Sequence, residues 1–284
     1  AAMARTAAKE NAVSNVIFYK EQFKEFLYTR KFIEENMRTA IAEKQFKMYL
    51  QPKYSISRNR IVGAEALVRW MHPERGMIYP NDFIPVIEEN GFIKMVDYYI
   101  WEEASRFIRK CADIGIEDCP VSVNVSRHHL RDTEFVHVLI NDIKKQQIDK
   151  SLLELEITET ANDEQIGQMA MRLKIDGFTL LMDDFGSGYS SLNVLLETPF
   201  DVIKLDKKFM DNMMASGKGK LILEHMVSMA RELGLGLLAE GVETKEQVDI
   251  LGKIGCDNVQ GYYFARPMPQ EDFFDLLKKD RGIK

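Results

Sequence analysis

The chain has 284 residues, 45% apolar and 29% charged, with a formal net charge of −6. That length suits one large α/β barrel or two modest domains, and the balance is that of an ordinary globular protein. The negative charge argues against a nucleic-acid polymer as partner, because tracking phosphates needs a basic face; a small anionic ligand stays open, since bound cations can reverse the sign of a local site. No run approaches the roughly 18 apolar residues of a membrane segment and no signal peptide opens the chain, so a cytoplasmic setting is expected. Cys111, Cys119 and Cys256 show no CxxC spacing and read as reduced thiols. The first residue is not Met, and a piece of a longer protein is expected.

Residues 1–30 are helix-rich and carry no polar strand end, which sets them apart from residues 31–284. From Lys31 onward Phe32, Ile33, Met37 and Ile41 fall on one stripe at helical spacing, a core-packing face. FKMYLQPKYSI and IVGAEALVRW then follow each other across only Ser57-Arg58-Asn59-Arg60. That link is too short for a crossover helix, so the two strands should be antiparallel. Strands and helices alternate thereafter, with helices expected at about 81–89, 93–113, 131–147, 162–175, 189–197, 214–233, 244–254 and 270–279. Gly177, Gly234 and Gly255 each follow a helical stretch, where a left-handed cap is wanted. Alternation implies a mainly parallel sheet with helices outside. Eight strands, the first one reversed, give a (β/α)8 barrel of TIM type with one antiparallel strand.

Seven of the hydrophobic runs end in a polar group: Glu65, Asn124, Glu156, the pair Asp183 and Asp184, Lys204, Glu240 and Gln260. In such barrels the chemistry sits at the C-terminal strand ends, the places these residues occupy. Polar groups there are costly unless paired. Oxygen ligands converging from successive strands build a site for hard divalent cations. With no His–Cys cluster zinc is a poor candidate, and Mg²⁺ or Mn²⁺ is favoured. Asp184 and Glu240 can serve a second cation beside the first, with Asp183 bridging. Two cations ~3.5–4 Å apart are the usual device for in-line attack on a phosphodiester. Lys204 would orient or deprotonate the attacking water or offset transition-state charge, and Arg69 has the planar fork that suits a phosphate. Adjacent aspartates on a strand face opposite ways, so Asp183 and Asp184 reach one mouth only where the strand ends or bulges; Gly186 and Gly188 supply that freedom.

Each residue also has a plainer explanation. A lone acidic strand end is commonly a helix cap, Asp184 fits a turn, and Lys204 with Asp206 fits a surface ion pair. Six acidic or amide groups on consecutive strands are not explained that way together. His128-His129 follows a strand in a polar loop and reads as solvated. DDFGSGYSS matches neither the Walker pattern nor GxGxxG and is weak alone.

Glu65-Ala66-Leu67, in the full form EALVRW, is the name motif of the EAL domain, and from about Phe46 to Phe274 the chain resembles that family throughout. EAL domains are bacterial phosphodiesterase modules that open cyclic di-GMP to linear pGpG on a (β/α)8 barrel with one antiparallel strand. The resemblance implies Glu65, Asn124, Glu156 and Asp183 as ligands of one metal, and Asp183, Asp184 and Glu240 as ligands of a second, each metal Mg²⁺ or Mn²⁺. It implies Lys204 at the attacking water and Glu243 as a supporting residue behind the metal ligands. Arg69 would hold a substrate phosphate, and Gln51, Leu67, Asp206 and Gln260 would line the dinucleotide cleft. Glu159 would pin the DDFGSGYSS loop, where Ser187 replaces the frequent Thr and keeps its hydroxyl. In the family that loop links the metal site to a dimer interface, so a homodimer is expected.

ARTAAKEN resembles the last helix and tail of a diguanylate cyclase (GGDEF) domain. Residues 1–30 are therefore expected to be a linker helix, either the remnant of such an upstream domain or a simple connector. Two rivals to the enzyme are a cyclic di-GMP sensor that binds without cleaving and a scaffold that acts through protein contacts. Intact ligand positions favour the enzyme.

Overall fold

The computed structural model describes residues 21–129, 132, 134–158, 164–186, 194–195 and 197–283. In chain order the elements are α1 (Glu21–Ala42), β1 (Phe46–Ser55), β2 (Arg60–His72), β3 (Gly76–Ile78), α2 (Pro80–Glu89), α3 (Ile93–Ala112), β4 (Val121–Asn124), α4 (Glu134–Gln146) and β5 (Leu153–Thr158). They continue as α5 (Glu164–Ile175), β6 (Thr179–Phe185), β7 (Val202–Leu205), α6 (Lys207–Met214), α7 (Gly217–Glu232), β8 (Gly236–Ala239), α8 (Lys245–Ile254), β9 (Asn258–Val259), β10 (Met268–Pro269) and α9 (Gln270–Arg281).

Eight strands close a barrel in the order β1-β2-β4-β5-β6-β7-β8-β9, with β9 pairing back onto β1. β1 is antiparallel to both neighbours and every other barrel pairing is parallel. The short β3 and β10 extend the sheet beside β2 and β1. The reversed first strand follows from the four-residue link at Ser57–Arg60, and the register sets Gln51 opposite Glu65 and Lys53 opposite Gly63.

The expected stripe on α1 packs inward. Ile33 and Met37 are buried, while Phe32 and Ile41 lie against the core. Phe32 stacks on Trp70 of β2 with ring centres 6.0 Å apart, and the Arg75 guanidinium lies over the Phe32 ring at 3.6 Å. α1 is one unbroken helix from Glu21, so residues on both sides of Lys31 share it.

Helix ends obey local chemistry. Gly177, Gly234 and Gly255 have φ of 91°, 73° and 83°, as caps require. The helix expected over 214–233 is α7, and a shorter helix, α6, precedes it where none was expected. Asp206 caps α6 by accepting from Lys208 N and Phe209 N, and Ser216 starts α7 by accepting from Gly219 N, so each helix has its own start signal. The segment expected as a helix at 189–197 lies mostly outside the described residues. All three cysteines are buried and unpaired, and no described helix is long and apolar enough to cross a membrane.

α8 carries a full capping box between Thr244 and Gln247. Thr244→Ala is expected to cost about 1 kcal/mol in urea unfolding and to leave ligand affinity at the barrel mouth unchanged.

Candidate active site

Lys204 stands on β7 with its side chain 1% exposed, and its ammonium is the point on which the ladder converges. Glu156 from β5 lies 2.6 Å away, Glu240 just past β8 at 2.8 Å, Asp183 from β6 at 2.9 Å and Glu65 from β2 at 3.7 Å. The plainer explanation of Lys204, a surface pair with Asp206, fails because the lysine is buried and the Asp206 carboxylate is turned to the α6 cap.

Around this centre the amides set orientation. Gln260 Nε2 donates to Glu65 Oε2 at 2.5 Å and to Gln51 Oε1 at 3.1 Å, and Gln51 Nε2 donates to the Ala265 carbonyl. Both glutamines are nearly closed off from solvent, so in this structure they fix Glu65. Leu67 stands between two clefts at the mouth. One, of about 430 Å³, runs past Arg69, Asp97, Trp101, Asn124 and Arg127; the other, of about 350 Å³, runs past Gln51, Glu240, Glu243, Gln260 and Tyr262. Glu243 lies at the rim and pairs with Lys207 at 2.7 Å. Arg69 stands over the Tyr49 ring and donates to the Val68 carbonyl.

The turn expected after β6 is present. The β6–β7 register slips between Met182 and Phe185, and Asp184 has φ +58°. Gly186 follows at φ +92°, with Phe209 packed so closely that a Cβ there would lie 2.4 Å from its ring. These two deviations release Asp183 and Asp184 from strand alternation. Glu159 and Ser187 lie outside the described residues.

Asn124 ends β4 at the wall of the larger cleft, its carbonyl accepting from Trp101 Nε1 at 3.0 Å. The expectation of a solvated His128-His129 is corrected at His129; His128 stays partly exposed. His129 is fully buried, its Nε2 3.0 Å from Asp97 Oδ2 and its ring against Trp101 and Phe135, because α3 covers the loop. Burial pushes Asp97 up, partly offset by His129.

Residues 34–267 match the EAL domain. The chain belongs to the EAL family. Two relatives come from Pseudomonas aeruginosa. The cyclic di-GMP phosphodiesterase NbdA is 33% identical over 99% of this chain and 36% of its own length; the cyclic di-GMP phosphodiesterase RocR is 35% identical over 81% of this chain and 59% of its own length. The chain thus spans only about a third to three-fifths of these proteins. Among solved structures, the PaMucR phosphodiesterase in complex with c-di-GMP superposes with a TM-score of 0.80 at 32% identity, over 85% of this chain and 99% of that one.

The donors collected in this EAL barrel are all oxygens, and Glu156 Oε1 and Gln260 Oε1 are buried without a hydrogen bond. That chemistry fits a hard cation such as Mg²⁺ or Mn²⁺. Among the described residues, no three Asp, Glu, His or Cys side chains close on one point as a finished metal site does. The shared point is held by the Lys204 ammonium, so ligation of a cation requires that ammonium to yield contacts.

Two charged residues of the interior were missed from sequence, Lys53 and Glu154, which pair at 2.6 Å beneath Glu156. The available signal was period two: Gln51 and Lys53 share one face of β1, and Glu154 and Glu156 one face of β5.

Crowding of carboxylates shows in their proton affinity. Burial pushes Glu156 up to about 7 and Glu240 up to about 8, with Lys204 opposing in both. Burial alone would lower the Lys204 ammonium, but Glu156, Glu65, Glu240 and Asp183 carry it well above its ordinary value. Asp184 is raised by burial and by Asp183. Glu156 and Glu240 bind protons more tightly folded than unfolded, so the stability they contribute is present at low pH and lost as pH rises through about 7 and 8. The melting temperature in EDTA is therefore expected to fall across that range, and Glu240→Gln to flatten the fall.

Proposed function

We propose that this barrel is a Mg²⁺- or Mn²⁺-dependent phosphodiesterase that hydrolyses cyclic di-GMP to linear pGpG. The observation that carries the reading is the set of carboxylates from four strands directed at Lys204. With Asp184 counted and all five carboxylates ionised, as cation binding would require, one ammonium leaves four negative charges, which two divalent cations would balance. Glu65, Asn124, Glu156 and Asp183 would hold one cation, and Asp183, Asp184 and Glu240 the other. Bound there, the pair would supply Lewis acidity for a water nucleophile and for the phosphoryl oxygens.

The chain's own residues do the remaining work. Lys204, freed of part of its carboxylate shell, would donate to the attacking water and orient it. Arg69, whose pKa burial lowers, is partly desolvated at the mouth and presents a fork to a substrate phosphate. Gln260 and Gln51 hold Glu65 in place, and Leu67 separates the clefts so that the two halves of a dinucleotide would lie on either side of it. Asp206 keeps Lys208 and Phe209 at the start of α6, and Glu243 steadies the rim through Lys207. Glu159 and Ser187 keep their proposed roles in loop control.

A homodimer, a cytoplasmic setting, and residues 1–30 as a linker from an upstream regulatory or GGDEF domain complete the proposal. Relatives much longer than this chain are consistent with further domains in the full protein.

Chromatography of products from cyclic di-GMP with Mg²⁺ or Mn²⁺, against an EDTA control, is expected to yield metal-dependent pGpG. Tight binding with no cleavage would assign the chain to the sensors instead. Glu65→Ala and Asp183→Ala are expected to abolish turnover while circular dichroism stays unchanged. Arg69→Ala is expected to raise KM by about tenfold or more, the loss of one charge-assisted phosphate contact.

A further inference from the structure

Beneath the carboxylate ring lies a second buried lysine, 6% exposed. Lys53 reaches into the barrel from β1, one inward position deeper than Gln51. Its Nζ lies 2.6 Å from Glu154 Oε2 and 3.8 Å from Glu156 Oε1. Glu156 is therefore set between two ammonium groups, Lys204 on Oε2 at 2.6 Å and Lys53 near Oε1. The backbone makes room for this arrangement. Gly63 is the partner of Lys53 across the β1–β2 pairing, and a Cβ there would lie 2.9 Å from the Pro120 carbonyl and 3.6 Å from Lys53 Cδ.

Stability does not account for the pair. Barrel interiors are filled chiefly by Val, Ile and Leu, and apolar residues of matched volume usually replace a buried ion pair without loss. Geometry offers a better account. At 3.8 Å the Lys53 ammonium attracts Glu156 Oε1 without taking a hydrogen bond from it, and Glu154 keeps the ammonium from coming closer. Oε1 is thereby directed yet left with free lone pairs, the state a metal ligand needs before the metal arrives.

We propose that Lys53 is a positioning residue for cation binding: held by Glu154, it fixes Glu156 so that Oε1 faces a divalent cation. The proposal rests on the metal-dependent reading above. Partners that orient metal ligands in this way change affinity by about 10–100-fold when lost.

The test is Mn²⁺ titration followed by electron paramagnetic resonance of the free ion, together with melting temperature in EDTA. The double variant Lys53→Met/Glu154→Gln leaves no unpaired buried charge. It is expected to melt at or above the wild-type temperature and to bind Mn²⁺ at least about tenfold more weakly. Glu154→Gln alone releases Lys53 onto Glu156 Oε1 and is expected to weaken binding at least as much, which keeps the test available if the double variant does not fold. Lys53→Arg, with the charge restored, is expected to recover most of the affinity. Mn²⁺ affinity in the double variant within about twofold of wild type would make the pair a packing element only and overturn the proposal. Absence of Mn²⁺ binding by the wild-type chain would instead remove the metal-dependent reading itself, and the proposal with it.

Discussion

The structure is organised around a surplus of negative charge enclosed in a barrel. Carboxylates cannot be gathered on adjacent strand ends without a counter-charge, because each one raises the cost of ionising the next. Lys204 provides one positive charge at the centre, and Lys53 with Glu154 forms a neutral floor below. Glu156 and Glu240 still hold protons more tightly than free carboxyls do. A site left short of positive charge is one prepared to receive it.

That constraint reaches outward through the scaffold. The reversed β1 brings Gln51 level with Glu65, where Gln260 from the end of β9 meets both. α3 covers the β4 end through Trp101 and the Asp97–His129 pair, so the wall at Asn124 is fixed by side chains that never reach the carboxylates. Phe209 from the first turn of α6 presses on Gly186 and so supports the turn that carries Asp183 and Asp184. The scaffold thus holds the carboxylates around Lys204 in place from several sides, as a pre-organised site requires.

Much of this was legible in the residue order. The four-residue link at Ser57–Arg60 dictated the antiparallel start, and polar groups at the ends of apolar runs marked the mouth. What stayed hidden has physical reasons. Period two puts Lys53 on the face of Gln51, but a lone charged residue there reads as solvent-facing until Glu154 of β5 is placed across from it. His129 occurs in a stretch of polar letters, and its burial is imposed by α3, some thirty residues earlier in the chain. α6 was missed because it is only eight residues long and its cap, Asp206, reads equally well as a polar strand end. The bulge at Asp184 was foreseen from the glycines that follow it, but which residue would take the left-handed conformation was not.

That left-handed aspartate also bears on the evolution of the barrel. A residue with a Cβ at φ +58° costs of order 1 kcal/mol or more that glycine would not incur. The most durable form of this turn and the form that carries two acids side by side are therefore different sequences. A lineage selected only for robustness would drift toward glycine at position 184 and lose a carboxylate without disturbing the fold. Keeping an acid there is a sustained concession of folding free energy to whatever the mouth of the barrel does.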